Sequence, residues 1–403
     1  MKRITALVLA AGMMLAMLSG CGSDKASSAA ASGSAPAAET TAPAAEAGSA
    51  AETTAPAAEA GSAAAETAGS TAEAVTGEQK IALVTDVGNI DDESFNQTCW
   101  EAVQAYGQEH SVETVYYKPT EDSTDARVTS ITQAVNEGAT VIVMPGYLFG
   151  EAIGQTQDLY PDVKFIAVDV GESDLGDTTL AKNTHTMVFH EEQAGYLAGY
   201  AAVMEGYTKL GYLGGMAVPA VQRYGYGYIQ GINDAANEKG VDVEIKYTYG
   251  GQFSADASIT AKMEGWYSDG TEVVFSCGGG IYASAVEAAN EHNGKVIGVD
   301  VDQSSIDPCI ITSAMKGLYA ATYSALDTYF NGKWDTIGGT LSSLSLTDGD
   351  YVGLPTDTWS MKNFTVDDYN ALVEKIKSGE VSISDDISDY PAVGDHCTLT
   401  VVE

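Results

Sequence analysis

"IALVTDVGNIDDESFNQ", Ile81–Gln97, decides how the chain is read. Ile81–Val84 is a short apolar run of the kind that makes a buried strand. It ends at Asp86, and a Gly88-Asn89 turn follows. Beyond the turn lies a carboxylate-rich loop carrying Phe95 and Asn96. Acids, an aromatic face and a side-chain amide gathered at one strand tip suit a place where a small ligand is held.

Outward from this stretch, similar apolar runs recur, each followed by a segment with helical spacing. Ile81–Val84, Val112–Tyr117, Val141–Met144 and Phe165–Val168 form one series; Leu210–Leu213, Val243–Tyr249, Val273–Cys277 and Val296–Val299 form a second. Ala126–Asn136 and Tyr282–His292 are among the helical segments between them. Such alternation predicts an α/β fold with mostly parallel sheets flanked by helices, and the length from residue 80 onward predicts two lobes. In these sheets ligands bind beyond the carboxyl ends of the strands. Asp86, Pro145-Gly146-Tyr147 and Asp169 stand at those ends in the first series. "YLGGM", "YGGQF", "SCGGG" and the Asp300 of "GVD" stand there in the second. Facing lobes would line one cleft with them.

The beginning of the chain has a different character. Lys2 and Arg3 precede an apolar segment, Ile4–Leu18, and "LSGC" ends at Cys21. A basic start, a short apolar core and small residues before a cysteine predict a lipoprotein signal over 1–21, with the Cys21 thiol taking a diacylglycerol. From 22 to 79 the composition is Ala, Ser, Thr, Glu, Gly and Pro, and "ETTAPAAEAGSAA" at Glu39–Ala51 recurs at Glu52–Ala64. Val75 is the only aliphatic side chain there larger than alanine. With nothing to bury, this stretch predicts a disordered tether rather than a repeat array, its ends roughly 40 Å apart.

The formal charge of −37 argues against nucleic acid and anionic head groups as partners. Cys99, Cys277, Cys309 and Cys397 show no C-x-x-C spacing and no His/Cys cluster, so no metal is expected; whether any of them pair is left open by the spacing. Several catalytic patterns fail. Ser313–Lys316 matches S-x-x-K, but no K-T-G follows it. Gly225–Gly231 has the wrong spacing for a dinucleotide loop, and His190-Glu191-Glu192 begins an H-E-x-x-H that is not completed. Five histidines without paired helical spacing leave little for acid–base catalysis. The expectation is a binding protein with no cofactor, not an enzyme.

"ALVTDVGNIDDESFNQ" resembles the opening signature of the basic membrane protein family, the purine-nucleoside-binding lipoproteins of ABC transporters. The likeness continues through "YPDVKFIAVD", "EEQAGYLAGYAA", "KLGYLGGMAVPAVQRYGYGYIQG", "YTYGGQF", "VVFSCGGG", "VIGVDVDQ" and "ITSAMKG", covering about Lys80 to Asn331 in order. The resemblance implies the type I periplasmic-binding-protein fold, two lobes joined by three crossovers. It places them near Thr186–Phe189, near Asp300–Ser305 and after the helix that follows Lys316. Lobe 1 is then 80–187, completed by about 304–403, and lobe 2 is 188–303. A strand at Tyr351–Gly353 and a helix at Asp367–Lys377 are expected to pack on the first lobe.

The resemblance also implies roles. Phe95 and Phe253 match the aromatics that sandwich the base from opposite lobes. Asp86 and Asn96 match polar residues near the base, and Asp169 matches the acid at its strand end. Asp300 and Lys316 match the pair that grips ribose hydroxyls, with Gly279 bringing backbone amides to the sugar. Each residue has a competing structural reading: Phe95 as a helix staple, Phe253 as core, Asp300 as a helix N-cap, Asn96 as part of a first helical turn, Lys316 as an exposed lysine, Asp169 as a turn acid. Tyr147 and Tyr224 stand where the family often has Phe, and "GGQFSAD" replaces a more usual "GSFTDP", which touches base preference rather than fold. The implied protein is a monomeric receptor held by the lipid on Cys21 at the outer face of the cytoplasmic membrane, handing a nucleoside to an ABC permease. A sugar or signal-furanose receptor, or a sensor docking a membrane kinase, shares the same fold.

Overall fold

In the computed structural model, Val75, residues 77–86 and residues 88–402 are described. The signal segment, Cys21 and almost all of the tether lie outside the described residues.

The chain opens with β1 (Lys80–Val84), α1 (Phe95–His110), β2 (Glu113–Tyr117), α2 (Thr124–Asn136), β3 (Val141–Pro145), α3 (Gly150–Thr156), β4 (Lys164–Val168), α4 (Glu172–Leu175) and β5 (Thr184–Phe189). It continues through α5 (Glu191–Glu205), β6 (Lys209–Gly214), α6 (Pro219–Lys239), β7 (Val243–Tyr249), α7 (Ala257–Ser268), β8 (Val273–Cys277), α8 (Tyr282–His292), β9 (Lys295–Asp300) and β10 (Ile310–Lys316). The remaining elements are α9 (Leu318–Phe330), β11 (Thr340–Leu344), β12 (Val352–Gly353), α10 (Val366–Lys377) and β13 (Cys397–Val401).

Two sheets organise these elements. The first has the order β11-β5-β4-β3-β1-β2, and the second β12-β10-β9-β8-β6-β7-β13. Every pairing is parallel except that of β10 with β12. Central strands such as β3 and β8 are buried along their whole length, which is why they read as unbroken apolar runs. Flanking helices bury one stripe: in α2, Ala126, Ile131 and Ala134 face the core, and Ser123 accepts from the Ala126 amide to start the helix. Long contacts between α5 and α6 depend on glycine, since a Cβ on Gly195 or Gly231 would collide with the opposing helix backbone.

The partition of the C-terminal third differs from expectation. Residues 301–309 are not a crossover: β10 returns beside β9, pairing Ser313 with Gly298 and Met315 with Asp300, so the chain remains in the second sheet until Lys316. Only α9, packed on α1, and β11, paired with β5, complete the first lobe. The chain then goes back. β12 pairs with β10, α10 packs on α5, and β13 pairs with β7, so this segment covers both edges of the second sheet rather than the first lobe. The S-x-x-K likeness of Ser313–Lys316 lies within this strand, which is buried over most of its length.

The crossings run side by side. The His190 amide donates to the Leu344 carbonyl at 2.9 Å, and the Gly317 amide to the Tyr351 carbonyl at 2.7 Å. The His190 ring bridges Glu192 at 2.6 Å and Ser343 at 3.0 Å. Among the described residues no helix is long and apolar enough to cross a membrane. Cys99, Cys277, Cys309 and Cys397 are buried and form no disulfide among the described residues.

Candidate ligand-binding site

Between the carboxyl ends of the two sheets lies a cavity of about 640 Å³. This is well within the range of small-molecule sites. Asp86, Phe95, Asn96 and Asp169 line it from the first lobe; Phe253, Gly279, Asp300 and Lys316 line it from the second. The structure therefore brings all eight residues singled out in the sequence to one cavity.

Each wall is built from its strand ends. Asp86 follows β1, and its Oδ1 accepts from the Gly88 amide at 2.7 Å and from Asn96 Nδ2 at 2.9 Å. Asn96 Oδ1 in turn accepts from the Asp86 amide at 3.3 Å. Gly146, at φ +120°, lets the turn after β3 pass close to Asp86. Burial pushes the Asp86 carboxyl up, against the pull of these two donors. Phe95 opens α1 and Phe253 lies in the loop after β7, each half-buried. Phe253 rests on glycine: a Cβ on Gly278, which sits at φ +142°, would come within 2.9 Å of its ring.

A chain of charges closes the back of the cavity. Lys316 donates to Asp169 Oδ2 at 2.5 Å and lies 3.0 Å from Glu191 Oε1. Arg223 Nε donates to Glu191 Oε2 at 2.6 Å. Lys316 and Glu191 are almost wholly inaccessible to solvent. Burial works against the Lys316 ammonium, but Asp169 and Glu191 outweigh it and hold the cation firmly protonated. Burial likewise opposes the Glu191 carboxylate, and Lys316 with Arg223 overcomes it, keeping Glu191 below the ordinary range. Asp169 is pushed up by burial despite Lys316, because Glu191 shares that cation. Its other oxygen, Oδ1, has no partner among the described residues and faces an unfilled hydrogen-bonding need. The Lys316 ammonium also lies 5.4 Å from the ring centroids of Phe95, Phe189 and Tyr224.

Asp300 ends β9 at φ +65°, and Asp169 follows β4 at φ +59°. Neither caps a helix; both turn their carboxylates into the cavity from strained backbone. Asp300 Oδ2 accepts from Ser94 Oγ at 2.7 Å, and Oδ1 has the Tyr224 hydroxyl at 3.5 Å. Burial raises its carboxyl, with Lys316 pulling the other way.

Sequence reasoning passed over Ser94, Glu191, Arg223 and Gln303. In the sequence Glu191 stands out only within the incomplete H-E-x-x-H. Arg223 carried a usable signal: the chain has three arginines, Arg3, Arg127 and Arg223, and one at the start of a Tyr- and Gly-rich helix has few reasons to be there except a buried acid.

The sequence model of the ABC transporter substrate-binding protein PnrA-like family, Bmp, matches residues 79–386. The chain belongs to this family. Its members are ABC transporter substrate-binding proteins, not enzymes. Among similar proteins is the ABC transporter nucleoside-binding protein BmpA of Lactococcus lactis, 27% identical over 318 residues, 73% of this chain and 87% of that one. Basic membrane protein B of Borreliella burgdorferi is 30% identical over 294 residues, 70% of this chain and 82% of that one. Solved structures with the same fold include an ABC transporter solute-binding protein from Aeropyrum pernix, with TM-score 0.66 and 24% identity over 77% of this chain and 94% of that one. Another, from Conexibacter woesei, has TM-score 0.62 and 22% identity over 76% and 99%. The architecture is that of the type I periplasmic binding proteins, with parallel sheets flanked by helices.

Proposed function

We propose that this Bmp-family protein captures a nucleoside, with purines as the preferred class, between its lobes and delivers it to an ABC permease from a lipid anchor on Cys21. The observation that carries the reading is the pairing, in one cavity, of two opposed-lobe aromatics with a carboxylate–ammonium pair. Phe95 and Phe253 offer faces to a flat base; stacking of this kind is worth about 1–3 kcal/mol per base. Asp86 lies beside Phe95 and supplies an acceptor at the base edge, held in place by Asn96, whose side-chain amide donates to Asp86 Oδ1 and Asp92 Oδ2. At the other end, the Asp300 carboxylate accepts from vicinal hydroxyls, and Lys316 donates to a sugar oxygen. Gly279 lines the cavity at φ +50°, where a side chain would crowd the Phe253 carbonyl. The name of the Lactococcus relative supports the nucleoside class.

Calorimetric titration of protein refolded to strip bound ligand tests this. The panel is adenosine, guanosine, inosine, uridine, cytidine, free ribose and free adenine. Binding of nucleosides, with neither ribose nor adenine matching them, is the expected result. Binding of ribose or another sugar alone assigns the site to a sugar receptor and overturns the base-sandwich reading.

A further inference from the structure

Ser94 occupies the N-cap position of α1, yet its side chain caps nothing. A serine there ordinarily accepts from an amide in the first helical turn. Here Asp92 does that work instead: its Oδ1 accepts from the Ser94 and Gln97 amides at 3.0 and 3.1 Å, and its Oδ2 from the Asn96 amide at 3.0 Å. The Ser94 hydroxyl, fully buried, is thereby freed, and it reaches across the cleft to donate to Asp300 Oδ2 at 2.7 Å. The residue before it is held from the same side. Glu93 sits at φ +51°, and its carbonyl accepts from Gln303 Nε2 at 3.2 Å. Gln303 is itself fully buried and locked, its Oε1 accepting from the Val299 amide and its own amide donating to Ser313 Oγ.

We infer that the Glu93–Ser94 corner is an interlobe latch, and that Ser94 is a positioning residue which sets Asp300 for the ligand and couples its occupancy to closure. The argument rests on three features together. A left-handed, non-glycine residue is costly and persists only where its surroundings impose it. Both grips come from the β9–β10 turn, which carries the carboxylate assigned to the sugar. Ser94 consumes Oδ2 of Asp300 and leaves Oδ1, whose contact with the Tyr224 hydroxyl is a long 3.5 Å, to take a ligand donor, so that opening the lobes removes the closer protein donor and frees the carboxylate to turn away. The charge on Asp300 strengthens the bond, since hydrogen bonds to ionised groups exceed neutral ones. Coupling of this latch to affinity rests on the nucleoside reading above; the latch itself does not.

Two measurements on the full chain separate these. Hydrogen–deuterium exchange of the empty protein reads the latch without any ligand, comparing wild type with Ser94→Ala and, independently, Gln303→Leu. Both variants are expected to raise exchange in the 301–309 turn as well as around Glu93. A serine that served only α1 would raise exchange at the start of that helix and leave the turn unmoved, which would overturn the latch. Stopped-flow binding of the tightest nucleoside then reads the coupling. Ser94→Ala is expected to weaken affinity by roughly tenfold or more, through faster release at an unchanged association rate. Raised exchange with unchanged release would overturn the coupling. Failure of wild type to bind any nucleoside would overturn the ligand class, while the exchange result still decides the latch.

Discussion

Lys316 touches both lobes at once: its ammonium lies 2.5 Å from Asp169 at the tip of β4 and 3.0 Å from Glu191 at the start of α5. It stands at the end of β10, one residue before Gly317, where the chain returns to the first lobe. One cation thus joins the ligand cavity to a crossover.

Replacing it should be costly. Lys316→Met leaves the buried Asp169 carboxylate without its cation, while Glu191 keeps Arg223, and breaking a buried pair from one side destabilises by about 3–5 kcal/mol. Chemical denaturation should show that loss, and calorimetry should show no nucleoside binding in the folded fraction. Lys316→Arg keeps the charge and is expected to recover most of the stability but less of the affinity, because the guanidinium fork does not fit a site built for a compact ammonium.

The two aromatics should separate base from sugar. Phe95→Ala and Phe253→Ala are each expected to weaken nucleoside affinity by about 1–3 kcal/mol, roughly five- to 150-fold. Any affinity for free ribose should be unchanged. Gly278→Ala tests the support beneath Phe253: the added methyl group meets the ring and the backbone sits at φ +142°, so both stability and affinity should fall.

Legibility of this molecule followed where each signal resides. Strands buried on both faces, such as Val141–Pro145 and Val273–Cys277, announce themselves as apolar runs. The cleft residues stood out because they follow those runs. Edge strands did not: Thr340–Leu344 and Cys397–Val401 are half-exposed, with a composition set by pairing rather than burial. Glu191 and Arg223 were invisible as a pair because they lie on different helices, and only the packing of α5 on α6 brings them together. Ser94 carries no signal of its role, since its position is that of an ordinary helix cap, a task that Asp92 in fact performs.

The pH response of the empty and loaded protein should differ in sign. Asp300 has its carboxyl raised above the ordinary 3.8, chiefly by burial. A raised folded value means the native state holds the proton more tightly than the unfolded chain. Its contribution to stability is therefore full below 3.8 and is lost as pH rises through the raised value. Glu191, held below its ordinary 4.5, contributes the opposite slope, lost only as pH falls further. Ligand hydroxyls that donate to Asp300 favour the ionised form, so nucleoside affinity should weaken as pH falls through the same window in which the empty protein gains stability. Denaturation and titration series at matched pH check this, and Asp300→Asn should reduce the slope of both curves, with Asp86 and Asp169, whose carboxyls burial also raises, keeping the remainder.

Removing Cys397–Val401 should expose the edge of β7, now covered by five paired residues. Bare edges invite pairing between molecules. Size-exclusion chromatography is expected to show more association than the intact chain gives, with nucleoside binding largely kept in the smallest species.

The straps along the second sheet also bear on how the molecule is made. His396 and Asp242, which meet at the start of the β13–β7 pairing, are 154 positions apart. β7 is synthesised early and waits unpaired on one side until β13 arrives. Contacts of such sequence separation form slowly, because a long loop must close before they give anything back. The first lobe waits on a pairing just as distant, Thr340 with His185, but β13 follows β11 in the chain, so the second lobe is the later of the two to be completed, and a chain interrupted before β13 is left adhesive along one border.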